Sequence, residues 1–276
     1  MRFLSLIALV VAAPTLGHAA DYLPPAPPLP YAGPQAEFTW GGLYGGIHAG
    51  VTTADFKTKE LGKTLVDDAY YAHIAHDLAS TFVRLGRDFS DQQPHLGGFV
   101  GYNMMFEDAV FGLELDYTHM KDKLLGQTSM SDGRRQDRGA YSDNISYTAT
   151  ARAEMGDYAI LKARGGYAFG RFLPFATVGL VVGRQRLAAA LNSQYTEYLI
   201  DPDTGRLGGI NVGPTARNSI IGKTGYNYGG AIGLGMDVAV LDNVMLRAEY
   251  QYIGMASYQG LSTAVSSFRV GAGVKY

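Results

Sequence analysis

The feature that most constrains the fold is an alternation of texture. Stretches of about ten residues, in which apolar side chains recur at every second position, are separated by gaps that are alternately short and long. Period two marks a strand with unlike faces. The last stretch is the clearest: Phe268, Val270, Ala272, Val274 and Tyr276 share one face, Arg269, Gly271, Gly273 and Lys275 the other. The third, residues 109–119, sets Phe111, Leu113, Leu115 and Tyr117 against Gly112, Glu114, Asp116 and Thr118. In all, eight strands are predicted: residues 42–51, about 97–106, 109–119, a fourth ending 159–167, 172–183, about 226–241, 244–253 and 268–276; Thr148, Thr150, Arg152 and Glu154 keep the phase of Lys162 and Arg164, which leaves open an extension of the fourth strand over residues 144–157.

The gaps after the second, fourth and sixth strands are two to four residues, and those after the others are about 45, 25–38, 40 and 12. A soluble β-sandwich has no reason for that rhythm. A membrane barrel does, because turns on the periplasmic side are tight and outer loops are free to lengthen. Lipid supplies no hydrogen-bonding partner, so a sheet that crosses a bilayer must close on itself. No apolar run approaches the ~20 residues that a spanning helix needs, the nearest being residues 175–183. The prediction is therefore an all-β fold: an eight-stranded antiparallel transmembrane β-barrel with short periplasmic turns and long extracellular loops. Tyr44, Tyr102, Phe106, Tyr167, Phe172, Tyr250 and Tyr276, near strand ends, suit an aromatic girdle.

Residues 1–19 have the form of a cleaved secretory signal: a positive start at Met1-Arg2, an apolar run over residues 3–13 and a small-x-small site at Gly17-His18-Ala19. Residues 20–37 contain six prolines and are expected to form an extended periplasmic linker, leaving 38–276 for the barrel. The expected location is the cell outer membrane of a Gram-negative bacterium. Composition narrows function by exclusion. A net charge of −2 without a basic tract argues against nucleic acid, and the lack of cysteine removes thiol catalysis and thiolate metal sites.

The strand segments FTWGGLYGGIHAG, GGFVGYNMMFEDAVFGLELDY, LKARGGYAFGRFLPFATVGLVVG, NVMLRAEYQYIG and SFRVGAGVKY, in this order, resemble the RopB-like outer-membrane proteins of alphaproteobacteria, relatives of opacity-type surface barrels. The resemblance covers residues 38–276 and fails in the loops, at residues 52–95, 186–224 and before Tyr158. It therefore carries over no ligand. The final aromatic strand, Phe268, Val270, Ala272, Val274 and Tyr276, resembles the C-terminal signal read by the barrel assembly machinery.

Inward positions carry charge: Glu114, Asp116, Lys162, Arg164, Arg247, Glu249, Arg269 and Lys275. Neighbouring strands offer opposite signs, so a salt-bridged interior is expected to fill the lumen; a selectivity ring in a narrow porin for small solutes is the alternative. No serine lies two positions after any histidine, the spacing of lipid A deacylase barrels, so no enzyme and no catalytic residue is expected. His48 faces inward and reads as a satisfied interior histidine. In the first long gap, Leu61, Leu65, Ala69, Ile74, Leu78, Phe82 and Leu85 follow helical spacing, and His73 and His76 form an i, i+3 pair that could face a haem or a metal. That gives a third reading, a haem- or metal-binding surface receptor, although no cofactor is expected. Asp201-Pro202-Asp203-Thr204-Gly205 reads as a turn. The expected partners are outer-membrane lipids and lipopolysaccharide, the assembly machinery, and an external ligand or host surface met by the loops.

Overall fold

The computed structural model describes residues 38–71, 73, 76–83, 85 and 88–276. The signal and linker assigned to residues 1–37, and Ile74 of the helical pattern, lie outside the described residues. Strands β1 (Gly42–Lys57), β2 (Phe89–Phe106), β3 (Ala109–Met120), β4 (Leu124–Arg138), β5 (Tyr141–Tyr167), β6 (Phe172–Ile200), β7 (Leu207–Ala239), β8 (Val244–Met255) and β9 (Ser262–Lys275) form one antiparallel sheet. It closes through β1, where Ile47 faces Gly98 of β2 on one side and Ala272 of β9 on the other. The ring has eight positions, not nine. β3 and β4 share one, since β5 pairs with β3 over Tyr158 to Tyr167 and with β4 over Tyr141 to Met155. The register slips between Met155 and Tyr158, where β5 passes from one partner to the other.

Alternation does what it predicts. Leu43, Ile47, Leu96, Val100, Phe111, Leu113, Leu115, Leu161, Val178, Leu180, Ile232, Leu234, Leu246, Phe268 and Val270 all point outward and form an apolar belt around the ring. From Leu96 to Phe106 along β2, at ~3.3 Å per residue and the usual tilt, the belt is roughly 25 Å tall, the hydrocarbon thickness such barrels match. Tyr102, Phe106, Tyr167, Phe172, Tyr250 and Tyr276 are exposed as girdle residues should be. Tyr44 is not: it is 2% exposed inside the barrel, because its position on β1 has the inward parity of His48.

The turns at one end are short, residues 107–108, 168–171 and 240–243. At the other end the structure departs from the sequence reading. The stretches expected as irregular loops continue as strand, so that β4, β5, β6 and β7 rise beyond the rim as a four-stranded blade. Residues 144–157 are part of β5, and β8 stops at Met255, opposite Gly229 of β7. The alternation persists in the blade but is carried by small and polar residues: Ala149, Ala151 and Ala153 are buried on its inner face while Thr148, Thr150 and Arg152 look outward. That low contrast reads as loop. Pro214 and several glycines of β7 are tolerated because this part of β7 has a neighbour on one side only.

The first long gap holds two helices, α1 (Lys59–Ala69) and α2 (His76–Phe82), as the apolar spacing requires. Leu61, Leu65 and Val66 of α1 and Leu78, Ala79 and Phe82 of α2 join Phe56, Ile145, Tyr147, Leu187, Leu191 and Tyr195 in one apolar core at the tall end. A second core, of Trp40, Tyr44, Phe99, Val110, Leu173, Ala239 and Met245, lies at the short-turn end.

Candidate functional site

Between the two apolar cores lies a layer of buried charge, built from one inward position after another around the ring. Glu114 and Asp116 come from β3, Lys162 and Arg164 from β5, Asp237 from β7, Arg247 and Glu249 from β8 and Arg269 from β9, each 4% exposed or less. Register pairs them directly. Glu114 faces Lys162 across β3 and β5, Asp237 faces Arg247 across β7 and β8, and Glu249 faces Arg269 across β8 and β9.

The contacts form one connected set. Lys162 Nζ lies 2.8 Å from Glu114 Oε1 and 3.4 Å from both Asp116 Oδ2 and Glu249 Oε1. Arg247 donates to Glu114 at 2.6 Å and to Asp237 at 2.8 Å. Arg164 donates to Asp237 at 2.8 Å. Arg269 reaches Glu249 at 2.8 Å and Asp116 at 3.0 Å. Tyr44 donates its hydroxyl proton to Glu114 at 2.9 Å, and His48 Nε2 lies 3.4 Å from Asp116. The guanidinium of Arg247 stacks 4.0 Å from the Phe99 ring centre, and that of Arg164 at the same distance from Phe175. Four acids meet four bases, so the layer is neutral without a mobile ion. Chemically, such an arrangement sets each buried charge against an opposite one.

Large interior side chains need gaps opposite them. A Cβ on Gly101 would run into the Tyr44 hydroxyl, and one on Gly97 into the His48 ring. The glycine-rich inner faces of β1 and β2 thus accept the two bulkiest polar groups of the first strand.

Seven of the eight residues predicted for the interior network meet in this layer. Lys275 does not. Its inward position lies nearer the short-turn end than Arg269, opposite Tyr44 in register, and its ammonium sits 5.7 Å from the Phe38 ring centre with no ion pair among the described residues. Asp237 takes the place that the sequence reading gave to Lys275. Its signal was the alternation Ala231, Gly233, Gly235, Asp237 on β7, which is faint because three of the four inward residues are small.

His73 and His76 are not a pair on one helix face. The helix α2 begins at His76, which bonds Asp67 Oδ1 at 2.9 Å, whereas His73 precedes it and turns its ring toward Tyr195, 4.9 Å between centres. Burial, aided by the nearby Arg217, lowers the pKa of His73. The apolar spacing foretold helices but not the break between them. Asp201 Oδ1 accepts from the amides of Asp203 at 2.9 Å and Thr204 at 3.1 Å, the turn expected there. On β9, Phe268, Val270, Ala272 and Val274 point outward, and Tyr276, just past its end, is exposed as well.

Larger cavities open at the tall end. One of about 650 Å³ lies on the blade beside Ser131, Ser146, Asn192 and Asn218, and another of about 550 Å³ lies beside Lys59, Lys63, Thr81 and Asp88.

The chain is similar to known outer-membrane proteins. The family model described as outer membrane protein beta-barrel domain matches residues 29–276. The 25 kDa outer-membrane immunogenic protein of Brucella melitensis is 22% identical over the full length of both chains. Among solved structures, the outer membrane protein OprG from Pseudomonas aeruginosa matches at 12% identity with a TM-score of 0.39, covering 86% of this chain and 97% of that one. Ail, the attachment invasion locus protein of Yersinia pestis, matches at 11% identity with a TM-score of 0.32, covering 85% and 99%.

Proposed function

The chain belongs to the outer membrane protein beta-barrel domain family and resides in a Gram-negative outer membrane, and from that premise we propose that it is a non-enzymatic surface barrel with a shut interior. Its role on this reading is to stabilise the envelope and to present a tall surface to the outside. Within the family, the order of its strand motifs supports a place among the RopB-like, opacity-type barrels. The observation that carries the proposal is the neutral layer of four acids and four bases, packed between two apolar cores. Eight strands enclose a space that side chains can fill. A solute would have to break paired charges to pass this layer, and a buried partner left alone costs about 3–5 kcal/mol.

The short-turn end then faces the periplasm, and the blade and helices face outward to meet an external ligand or host surface. The outward aromatic and apolar residues of β9 serve as the mark by which the assembly machinery takes up the chain. Purified protein in a planar lipid bilayer tests the shut interior: the expected record has no stable conductance steps. A reproducible large-conductance channel from folded protein overturns it in favour of the narrow porin.

A further inference from the structure

The outward faces of β5, β6 and β7 change character abruptly at one level. On β6 the exposed residues Val178, Leu180 and Val182 give way to Arg184 and Arg186, the first charges after an uncharged run from Phe172 to Gly183. On β5 the exposed Leu161 gives way to Asp157, Glu154 and Arg152. On β7, Tyr226 stands opposite Arg184 with 71% of its surface free. This level is the upper rim of the apolar belt. In the reading above, it is where hydrocarbon of the outer leaflet ends and its head groups begin.

The acids here are engaged elsewhere. Glu154 bonds Arg152 at 3.0 Å and Lys123 at 3.5 Å. Its burial works to raise its pKa, but these bonds prevail and hold it below the usual carboxylate range. Asp157 accepts from the Tyr117 hydroxyl at 2.9 Å, from the Met120 amide at 3.0 Å, and lies 3.0 Å from His119 Nδ1. Arg184 and Arg186 make no ion pair among the described residues. Cavities of about 600 Å³ and about 70 Å³ open beside them, both lined by Arg186, Glu154 and Thr224 and the smaller also by Arg184 and Lys123. Two free guanidiniums suit a phosphate, which takes paired N–H donors, and a tyrosine ring beside them suits the face of a sugar.

We propose that Arg184, Arg186 and Tyr226 bind the phosphate-bearing sugar of a glycolipid in the outer leaflet. The site deepens the surface-barrel reading and rests on it, since it needs the belt to lie in the membrane. The lipid is then a fixed neighbour of one side of the barrel, at the foot of the blade.

The test uses the full mature chain, folded in detergent and exchanged into nanodiscs that carry phosphorylated lipid A or the same lipid stripped of phosphate. Bound lipid is counted by native mass spectrometry and insertion is followed by heat-modifiable migration on a gel. The wild type is expected to retain the phosphorylated form preferentially, and Arg184→Gln/Arg186→Gln to lose about tenfold or more of that preference. Equal retention of both lipids by the wild type, or unchanged preference in the variant, overturns the proposal while leaving the barrel intact. Failure of the wild type to insert strikes the surface-barrel reading instead. Should the double variant not insert, Arg186→Gln alone supplies the comparison.

Discussion

Arg247 is the residue on which the interior depends most. Its guanidinium serves Glu114 and Asp237 together and covers the Phe99 ring. Arg247→Met keeps an unbranched stem but removes the guanidinium and leaves both carboxylates short of a partner. It is expected to lower stability by about 3–5 kcal/mol. Urea unfolding from lipid vesicles, followed by the fluorescence of Trp40, the chain's single tryptophan, measures the change. Trp40 reports well because it is 2% exposed and donates to the Gly170 carbonyl at 3.0 Å. Residues such as Glu114 and Arg269 were legible in the sequence because a charge between strongly apolar neighbours stands out. Asp237 was not, since its strand alternates between small inward and apolar outward residues, and Tyr44 was misplaced because an aromatic near a strand end suits a girdle and a lumen equally well. Only the partner across the ring tells the two apart.

Among the elements, the hand-over from β3 to β4 is the most local and the most testable. Asp157 sits in the bulge of β5 and ties down the end of β3 through the amide of Met120. Burial tends to raise its pKa, but that amide and the groups of His119 and Tyr117 outweigh it, so the carboxyl lies below the usual value. A depressed folded value means that the contribution to stability is present above the unfolded pKa and fades as pH falls through the folded one. Asp157→Ala should therefore cost about 0.5–1.5 kcal/mol at neutral pH, the range of a solvent-screened hydrogen bond, and progressively less under acid, with faster hydrogen exchange at the Met120 amide as the local readout. An acid-independent loss would assign the effect to packing alone. The eight ring positions were readable because lipid forces a strong contrast between faces. The blade was legible only where the fourth strand was open to extension over residues 144–157, and there the phase was reversed: the bulge between Met155 and Tyr158 turns Thr148, Thr150 and Arg152 outward; elsewhere small and polar residues alternate with too weak a contrast to separate from a loop. The helices α1 and α2 were readable for the opposite reason, since leucines and phenylalanine on one stripe leave little choice of period.

At the scale of the whole molecule, closure joins the ends of the described sheet. β9 pairs with β1 over its length, and the Tyr276 amide bonds the Leu43 carbonyl at 2.8 Å. Deleting Tyr276 is expected to reduce the share of chain that reaches the outer membrane in heat-modifiable form, measured on gels of the membrane fraction. Normal amounts of inserted barrel would count against the last strand as an assembly mark. Closure also bears on the charge layer in time as well as in space. Its eight members arise from five strands, and no hairpin of adjacent strands contains a balanced set with all its contacts: Arg269 waits for Asp116 on β3, and Arg247 for Glu114, also on β3. A half-built sheet thus carries charges that still need water, and sinking it into hydrocarbon before the seam shuts is opposed. The ion layer is thus a latch that rewards only the finished ring.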